Sequence, residues 1–206
     1  CNEKGEWRVK IKTPEAGASY SVRIEGSSKI LLEDVLFGEV WFCSGQSNME
    51  MPVSGYRNEG INGSQEVILN SANDHIRMFT VKRQASKTPV NDVEGEWLSA
   101  KLENTGNCSA TAYFFAKKLH EQLKVPVGII HSSWGGSKIE AWINKETINT
   151  IPDIDYLENV PEEKRRANRT PSLLYNGMIK PLEGYGIKGF CWYQGESNRW
   201  EPDKYL

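Results

Sequence analysis

The sequence predicts an α/β domain with a mostly parallel sheet, preceded by a few short β-strands. From residue 36 onward, nearly continuous apolar runs recur, which is typical of strands that are covered on both faces. Amphipathic helical stretches lie between these runs, and strands that alternate with helices favour a parallel sheet. The predicted strands are 37–43, 76–81, 127–130 and 187–193, and the predicted helices are 112–123 and 172–182.

The first 35 residues have a different pattern. Residues 7–12 and 20–24 alternate apolar and polar side chains, as half-buried strands do, and residues 30–35 form a third candidate strand. So few short strands cannot bury a core by themselves. We therefore expect residues 1–35 to be the remnant of an N-terminal β-sandwich domain, and residues 36–206 to be a second domain that is incomplete at its C-terminus.

Composition and charge argue against several classes of function. The formal net charge is −2 and the basic residues are scattered, so we expect no nucleic-acid partner. No apolar run has the length that a membrane-spanning helix needs. The four cysteines show no CxxC spacing and have no histidine at a zinc-like interval. We therefore expect no metal site, and the sequence indicates no other cofactor.

Small and polar residues follow three of the predicted strands. Ser47 follows the first strand, the paired glycines Gly135 and Gly136 follow the third, and Gln194 and Glu196 follow the last. Ligands of open parallel sheets bind beyond the carboxyl ends of the strands. We therefore expect one polar site at this edge, where the backbone of the paired glycines can approach a ligand closely.

Ser47 is the candidate nucleophile. A serine just after a buried strand, with a glycine two positions earlier, can project its hydroxyl from a tight turn while the next amides hold an oxyanion. The GxSxG elbow of α/β-hydrolases requires a second glycine, and this chain has Met49 at that position. On this motif alone, the alternative is a loop serine that caps a helix.

The three strand ends together resemble a known family. They read Gly45-Gln46-Ser47-Asn48-Met49, Trp134-Gly135-Gly136-Ser137 and Trp192-Tyr193-Gln194-Gly195-Glu196-Ser197. These motifs are similar to those of the sialate O-acetylesterase family, which belongs to the SGNH-hydrolase superfamily and is related to acetylxylan esterases. The resemblance runs from about residue 36 to the end and includes residues 174–179. It implies a flavodoxin-like, three-layer α/β/α fold.

The resemblance also implies roles for individual residues. Ser47 would be the nucleophile that forms an acyl-enzyme. Its backbone amide, a glycine of the Gly135-Gly136 pair and a polar side chain would form the oxyanion hole. That side chain would be Gln194, with Asn198 as the alternative. Glu196 would orient the catalytic histidine as the third member of the triad, unless an aspartate that precedes the histidine does so.

A general base is missing from the predicted site. The resemblance implies an Asp-x-x-His motif near the C-terminal end of the domain, and none of His75, His120 and His131 lies in such a motif. His75 is expected in a polar loop and His120 on a helix, both at the surface. His131 lies near a strand end, where it could line the site or make a structural hydrogen bond. We expect the rest of the domain, beyond Leu206, to supply the catalytic histidine.

The resulting hypothesis is a carbohydrate esterase that removes O-acetyl groups from sialic acid or a related sugar. The polar strand ends favour an acetylated carbohydrate, because a lipase would need an apolar groove. Acetylxylan esterase is one alternative, and a non-catalytic carbohydrate-binding protein with the same fold is another. We expect an extracytoplasmic protein (secreted, periplasmic or surface-anchored), with a signal peptide and further β-strands upstream of residue 1.

Overall fold

A two-stranded antiparallel hairpin precedes the main sheet in the computed structural model, which describes residues 2, 3, 5, 7–152, 154, 156 and 159–200. Its strands are β1 (Ser19–Glu25) and β2 (Lys29–Leu36). Ile30, Leu31 and Leu32 of β2 are 50%, 56% and 47% exposed. The hairpin therefore buries little apolar surface, as expected of a pair of strands alone.

The predicted strand at residues 7–12 is wrong. These residues adopt no regular structure, and Trp7, Val9 and Ile11 are 58%, 67% and 61% exposed. An alternating sequence becomes a strand only where a neighbouring strand satisfies its backbone hydrogen bonds. No segment in the described part of the chain pairs with residues 7–12.

A five-stranded sheet forms the centre of the rest of the chain. Its strands are β3 (Glu39–Gly45), β4 (Asn73–Thr80), β5 (Trp97–Ala100), β6 (Val127–Ser133) and β7 (Gly189–Tyr193), in the order β5-β4-β6-β3-β7. The pairs β4·β6, β6·β3 and β3·β7 are parallel, and only β5 pairs antiparallel, with β4. This confirms the predicted α/β class with a mostly parallel sheet.

Helices and helical turns connect and cover the strands. The α-helices are α1 (Ser47–Glu50), α2 (Ser64–Leu69), α3 (Leu102–Thr105), α4 (Ala110–Leu123) and α5 (Lys145–Ile148). Single 3₁₀ turns span Ile139–Trp142, Glu162–Lys164, Lys180–Leu182 and Glu196–Asn198, and a π-helical turn spans Tyr175–Ile179. The helix predicted at 172–182 is therefore a π turn that continues into a 3₁₀ turn.

Apolar cores lie on both faces of the sheet. One core joins strand residues such as Cys43 and Ile129 to Tyr113 of α4. The other joins Phe42 to Trp142 and neighbours on the opposite side. Phe42 and Cys43 can serve different cores because successive residues of a strand point to opposite faces. The sheet is thus covered on both sides, which explains its nearly continuous apolar strands.

Strands β3 and β6 and helix α4 extend further than the sequence predicts, and the strand extensions matter for the site. β3 continues to Gly45 and β6 continues to Ser133, so the two strands pair up to their last residues. α4 begins two residues before the predicted start, at Ala110, because the Oγ of Ser109 accepts a hydrogen bond from the amide of Ala112 at 3.1 Å.

Candidate active site

The carboxyl ends of β3, β6 and β7 meet at one edge of the sheet. Gly45 pairs in register with Ser133 on one side and with Tyr193 on the other. Beyond the strands, the amide of Trp134 donates to Gly45 O at 3.1 Å, and the amide of Gln46 donates to Tyr193 O at 3.0 Å. The three segments that the sequence singled out are therefore neighbours.

The turn that carries Ser47 is held tightly. Gly45 has φ of +145°, and a Cβ added there would lie 2.1 Å from the carbonyl oxygen of Tyr193, so the position requires glycine. The buried side chain of Gln46 accepts hydrogen bonds from the amides of Gly195 at 3.2 Å and Ser197 at 3.3 Å. The amide oxygen of Gln46 thus ties the turn after β3 to the turn after β7.

Ser47 is half-buried and is the first residue of α1. The alternative that it caps a helix is wrong, because the cap position belongs to Gln46. The hydroxyl of Tyr56 lies 3.4 Å from Ser47 O, so an aromatic side chain borders the serine. A serine directly after a central strand, at the start of a short helix, matches the position predicted for it.

The paired glycines form a tight turn against Ser47. The amide of Ser137 donates to Trp134 O at 3.2 Å, and Gly136 has φ of +69°, which the third position of a type II turn requires. A Cβ added to Gly135 would lie 3.8 Å from the Cβ of Ser47. That distance is an ordinary contact, whereas Glu50 Oε2 would lie only 2.8 Å from the added Cβ, so the carboxylate of Glu50 occupies the space beside Gly135.

Glu196 and Gln194 follow β7 but make different contacts. Glu196 is exposed, and its Oε1 accepts a hydrogen bond from Asn48 Nδ2, next to Ser47, at 2.7 Å. The side-chain nitrogen of Gln194 donates to Ser137 O at 3.0 Å and to Asn198 Oδ1 at 2.9 Å. Gln194 would have to exchange one of these bonds in order to donate to an oxyanion.

Asn198 is buried and joins this segment to the one that follows the glycine turn. Its Nδ2 donates to Glu140 Oε2 at 2.9 Å, and its Oδ1 accepts from the amide of Ile139 at 2.9 Å. With 2% of its surface exposed, Asn198 contacts protein on all sides. Its oxyanion role stays a prediction, while its hydrogen bonds fix the position of the Gln194 side chain.

None of the three histidines makes a hydrogen bond to Ser47 within the residues that the structure describes. His131 is buried, with Nε2 2.5 Å from the Oγ of Ser133, and burial lowers its pKa to about 4. His120 lies on α4, as the sequence predicts, whereas the expectation that His75 lies in a polar loop is wrong. His75 lies within β4, both are half-buried, and their rings pack edge-on with centroids 5.8 Å apart.

Sequence reasoning missed two charged residues beside the serine. Glu50 lies three residues after Ser47 on α1, where i and i+3 side chains are neighbours. It accepts a hydrogen bond from the amide of Gly135 at 2.8 Å and forms an ion pair with Arg83. The helical spacing could have indicated Glu50, but Arg83 follows a different strand and only the tertiary structure brings it here.

The described residues include no cluster of three or more histidine, cysteine, aspartate or glutamate side chains that could hold a metal ion. None of the helices among these residues combines the length and the apolar character needed to cross a bilayer.

The fold and the polar edge define an α/β domain of the SGNH-hydrolase type, with a serine at the end of a central parallel strand and a glycine turn beside it. Residues 38–205 match the sequence model of the family described as "Carbohydrate esterase, sialic acid-specific acetylesterase". The chain belongs to this family.

Comparisons with individual proteins agree with this family assignment. The sialate O-acetylesterases of mouse and human are each 32% identical to this chain over 93% of its length. A solved structure of a carbohydrate acetylesterase from Xanthomonas citri has a TM-score of 0.82 and 35% identity over 95% of the chain. The chain spans 42%, 38% and 41% of the lengths of these three proteins, respectively.

Proposed function

We propose that the protein is a carbohydrate esterase that hydrolyses O-acetyl groups from sialic acid or a related sugar, with Ser47 as the nucleophile. The observation that carries the proposal is the placement of Ser47. In a chain of this family, the serine lies at the end of a central strand, and the glycine turn after β6 begins at Trp134, whose amide donates to Gly45 O two residues before the serine.

The reaction has two steps. The Oγ of Ser47 attacks the carbonyl carbon of the acetyl ester while a general base accepts the hydroxyl proton, and the sugar leaves as its free hydroxyl after it receives that proton. Water then attacks the acetyl-serine with the help of the same base and releases acetate. A negative charge develops on the carbonyl oxygen in both steps, and nearby N–H groups stabilise it.

The oxyanion donors are proposed to be backbone groups of two turns: the amide of Ser47 and an amide of the Gly135-Gly136 turn. The proximity of the two turns supports this assignment: Trp134 N donates to Gly45 O, and a Cβ added to Gly135 would lie 3.8 Å from the Cβ of Ser47. Because the amide of Gly135 donates to Glu50, the amide of Gly136 is the first candidate of the pair. Gln194 is the proposed side-chain donor, provided that it releases Ser137 O or Asn198.

The general base is proposed to be a histidine outside the 206 residues. The absence of a histidine bonded to Ser47 among the described residues supports this, as does the burial of His131, whose pKa of about 4 leaves it a weak base. Glu196 is proposed to orient that histidine. It is exposed and already lies beside the serine turn through Asn48, so it is accessible to a residue that completes the site.

A carbohydrate partner fits the aromatic side chains at this edge. Trp192 and Tyr193, at the end of β7, are 42% and 47% exposed, and Trp200 is 82% exposed. Exposed rings beside polar groups are suited to stacking against sugar rings. The same observation favours a second candidate, a carbohydrate-binding protein without catalysis. An extracytoplasmic location, where such glycans occur, is part of the proposal, and a signal peptide encoded upstream of residue 1 would support it.

Acyl-chain profiling of the full-length protein tests the proposal. Aryl esters from acetate to octanoate, together with O-acetylated sialic acid and acetylated xylan, would be compared by kcat/KM. We expect acetate to be preferred over octanoate, and acetylated sialic acid over xylan. Faster cleavage of octanoate would reject the sugar-deacetylase function, and sugar binding without acetate release would favour the non-catalytic alternative.

A further inference from the structure

A partly buried ion pair beside Ser47 connects the ends of three strands. The Glu50 side chain is only 15% exposed, and charged side chains are seldom so buried unless they are paired. Its Oε1 accepts a hydrogen bond from Arg83 Nε at 2.8 Å and also contacts Arg83 Nη2. Its Oε2 accepts from the amide of Gly135 at 2.8 Å. Both carboxylate oxygens are therefore bonded.

Arg83 extends the connection to the glycine turn by a second route. Its guanidinium lies over the ring of Trp134, 5.5 Å from the ring centroid. The pair thus joins α1, which follows β3, to the segment after β4 and to the turn after β6. The contacts of Glu50 with Gly135 and of Arg83 with Trp134 therefore help to set the distance between the glycine turn and Ser47.

We infer that Glu50 is a positioning residue for the esterase reaction, with Arg83 as its counter-ion; this inference rests on the function proposed above. The carboxylate holds the Gly135-Gly136 turn beside Ser47 through the Gly135 amide, so that the Gly136 amide meets the oxyanion without rearrangement. A charged acceptor suits this role because its hydrogen bonds are roughly twice as strong as neutral ones. Preorganised donors are effective because they need no reorganisation during the reaction.

Arg83 has a distinct part in this arrangement. A carboxylate beside a developing oxyanion would oppose the negative charge, and the guanidinium offsets that effect by pairing with the carboxylate. Without Arg83, Glu50 would remain as a partly buried, unpaired charge next to the reacting atoms. The two residues should therefore be coupled in their effect on the rate.

The test compares E50A, E50Q and the control E94A in the full-length protein, with an aryl acetate as substrate. E50A removes the acceptor of the Gly135 amide and should lower kcat by about a hundredfold, with a much smaller change in KM. E50Q keeps an acceptor oxygen and should recover part of this loss. E94A removes an ion pair with Lys82 whose side chains are 70% and 73% exposed, and it should behave as wild type.

A double-mutant cycle keeps the inference testable if E50A does not fold. R83A should lower kcat more strongly in the wild-type background than in the E50Q background. Only in the wild-type background does R83A leave the Glu50 carboxylate without its counter-ion. An E50A variant that folds with kcat within about twofold of wild type would overturn the inference, as would additive effects of R83A and E50Q. Both results are separable from failure of the proposed function, which would appear as full activity in S47A.

Discussion

Replacing Asn198 by alanine should destabilise the domain, because its side chain holds a buried polar cluster together. Asn198 is 2% exposed and Glu140, which accepts its Nδ2 hydrogen bond at 2.9 Å, is 4% exposed. The Oδ1 of Asn198 accepts from the amide of Ile139 and from Gln194 Nε2, both at 2.9 Å. Alanine can make none of these bonds.

The expected loss follows from the groups that the variant leaves behind. The Glu140 carboxylate and the Ile139 amide would each lose this partner, whereas Gln194 would keep its bond to Ser137 O. A buried polar group without its partner costs about 1–3 kcal/mol, and a charged one costs more. The two groups together predict a decrease of about 2–6 kcal/mol in the free energy of unfolding, from a typical total of about 5–15 kcal/mol.

Urea unfolding followed by tryptophan fluorescence measures this loss, with Asn149→Ala as the matched control. Asn149 is exposed at the end of α5, so its replacement should change the free energy of unfolding by no more than about 0.5 kcal/mol. A loss below about 1 kcal/mol for Asn198→Ala would refute the argument that this cluster depends on the asparagine.

Three further predictions concern the same edge of the sheet. Gly45→Ala should abolish both activity and normal folding, because the new Cβ would lie 2.1 Å from the backbone oxygen of Tyr193; a soluble variant with wild-type acetate release would disprove this. Gln194→Ala should lower kcat on the order of a hundredfold if the side chain donates to the oxyanion, and an unchanged kcat would remove that role. Burial lowers the pKa of His131 from 6.5 to about 4, so between these values the unfolded chain binds a proton that the folded chain does not. The free energy of unfolding should therefore rise with pH across this window, by about 3 kcal/mol. In His131→Gln this free energy should depend less steeply on pH, and an equal pH dependence in the variant and the wild type would contradict the lowered pKa of His131.

The sequence predicted the parallel sheet because each central strand is covered on both faces and therefore apolar along its length. The runs that contain Phe42 and Ile130 are of this kind, and both residues are buried. The short strand β5 was missed because four residues at a sheet edge leave no periodic signal. The strand predicted at residues 7–12 was wrong because alternation records the pattern of side chains but not the presence of a partner strand.

Short sequence motifs predicted part of the candidate site, and contacts between distant segments form the rest. The turn of Ser47 and the paired glycines Gly135 and Gly136 were found because their backbone conformations require particular residue types. The contacts of Glu50 with Arg83 depend on where two separate strands end in space, which no local pattern records. The same holds for the burial of Asn198, whose position in the sequence is that of an ordinary polar loop.

Turnover by Ser47→Ala is the measurement that tests the central claim most directly. In the full-length protein, the account predicts that acetate release from an acetylated sugar falls on the order of 10⁴-fold or more, with an unchanged unfolding transition. Ser54→Ala, at an exposed serine shortly after α1, is the matched control and should retain wild-type turnover. A folded Ser47→Ala protein that releases acetate at a rate close to wild type would contradict the account.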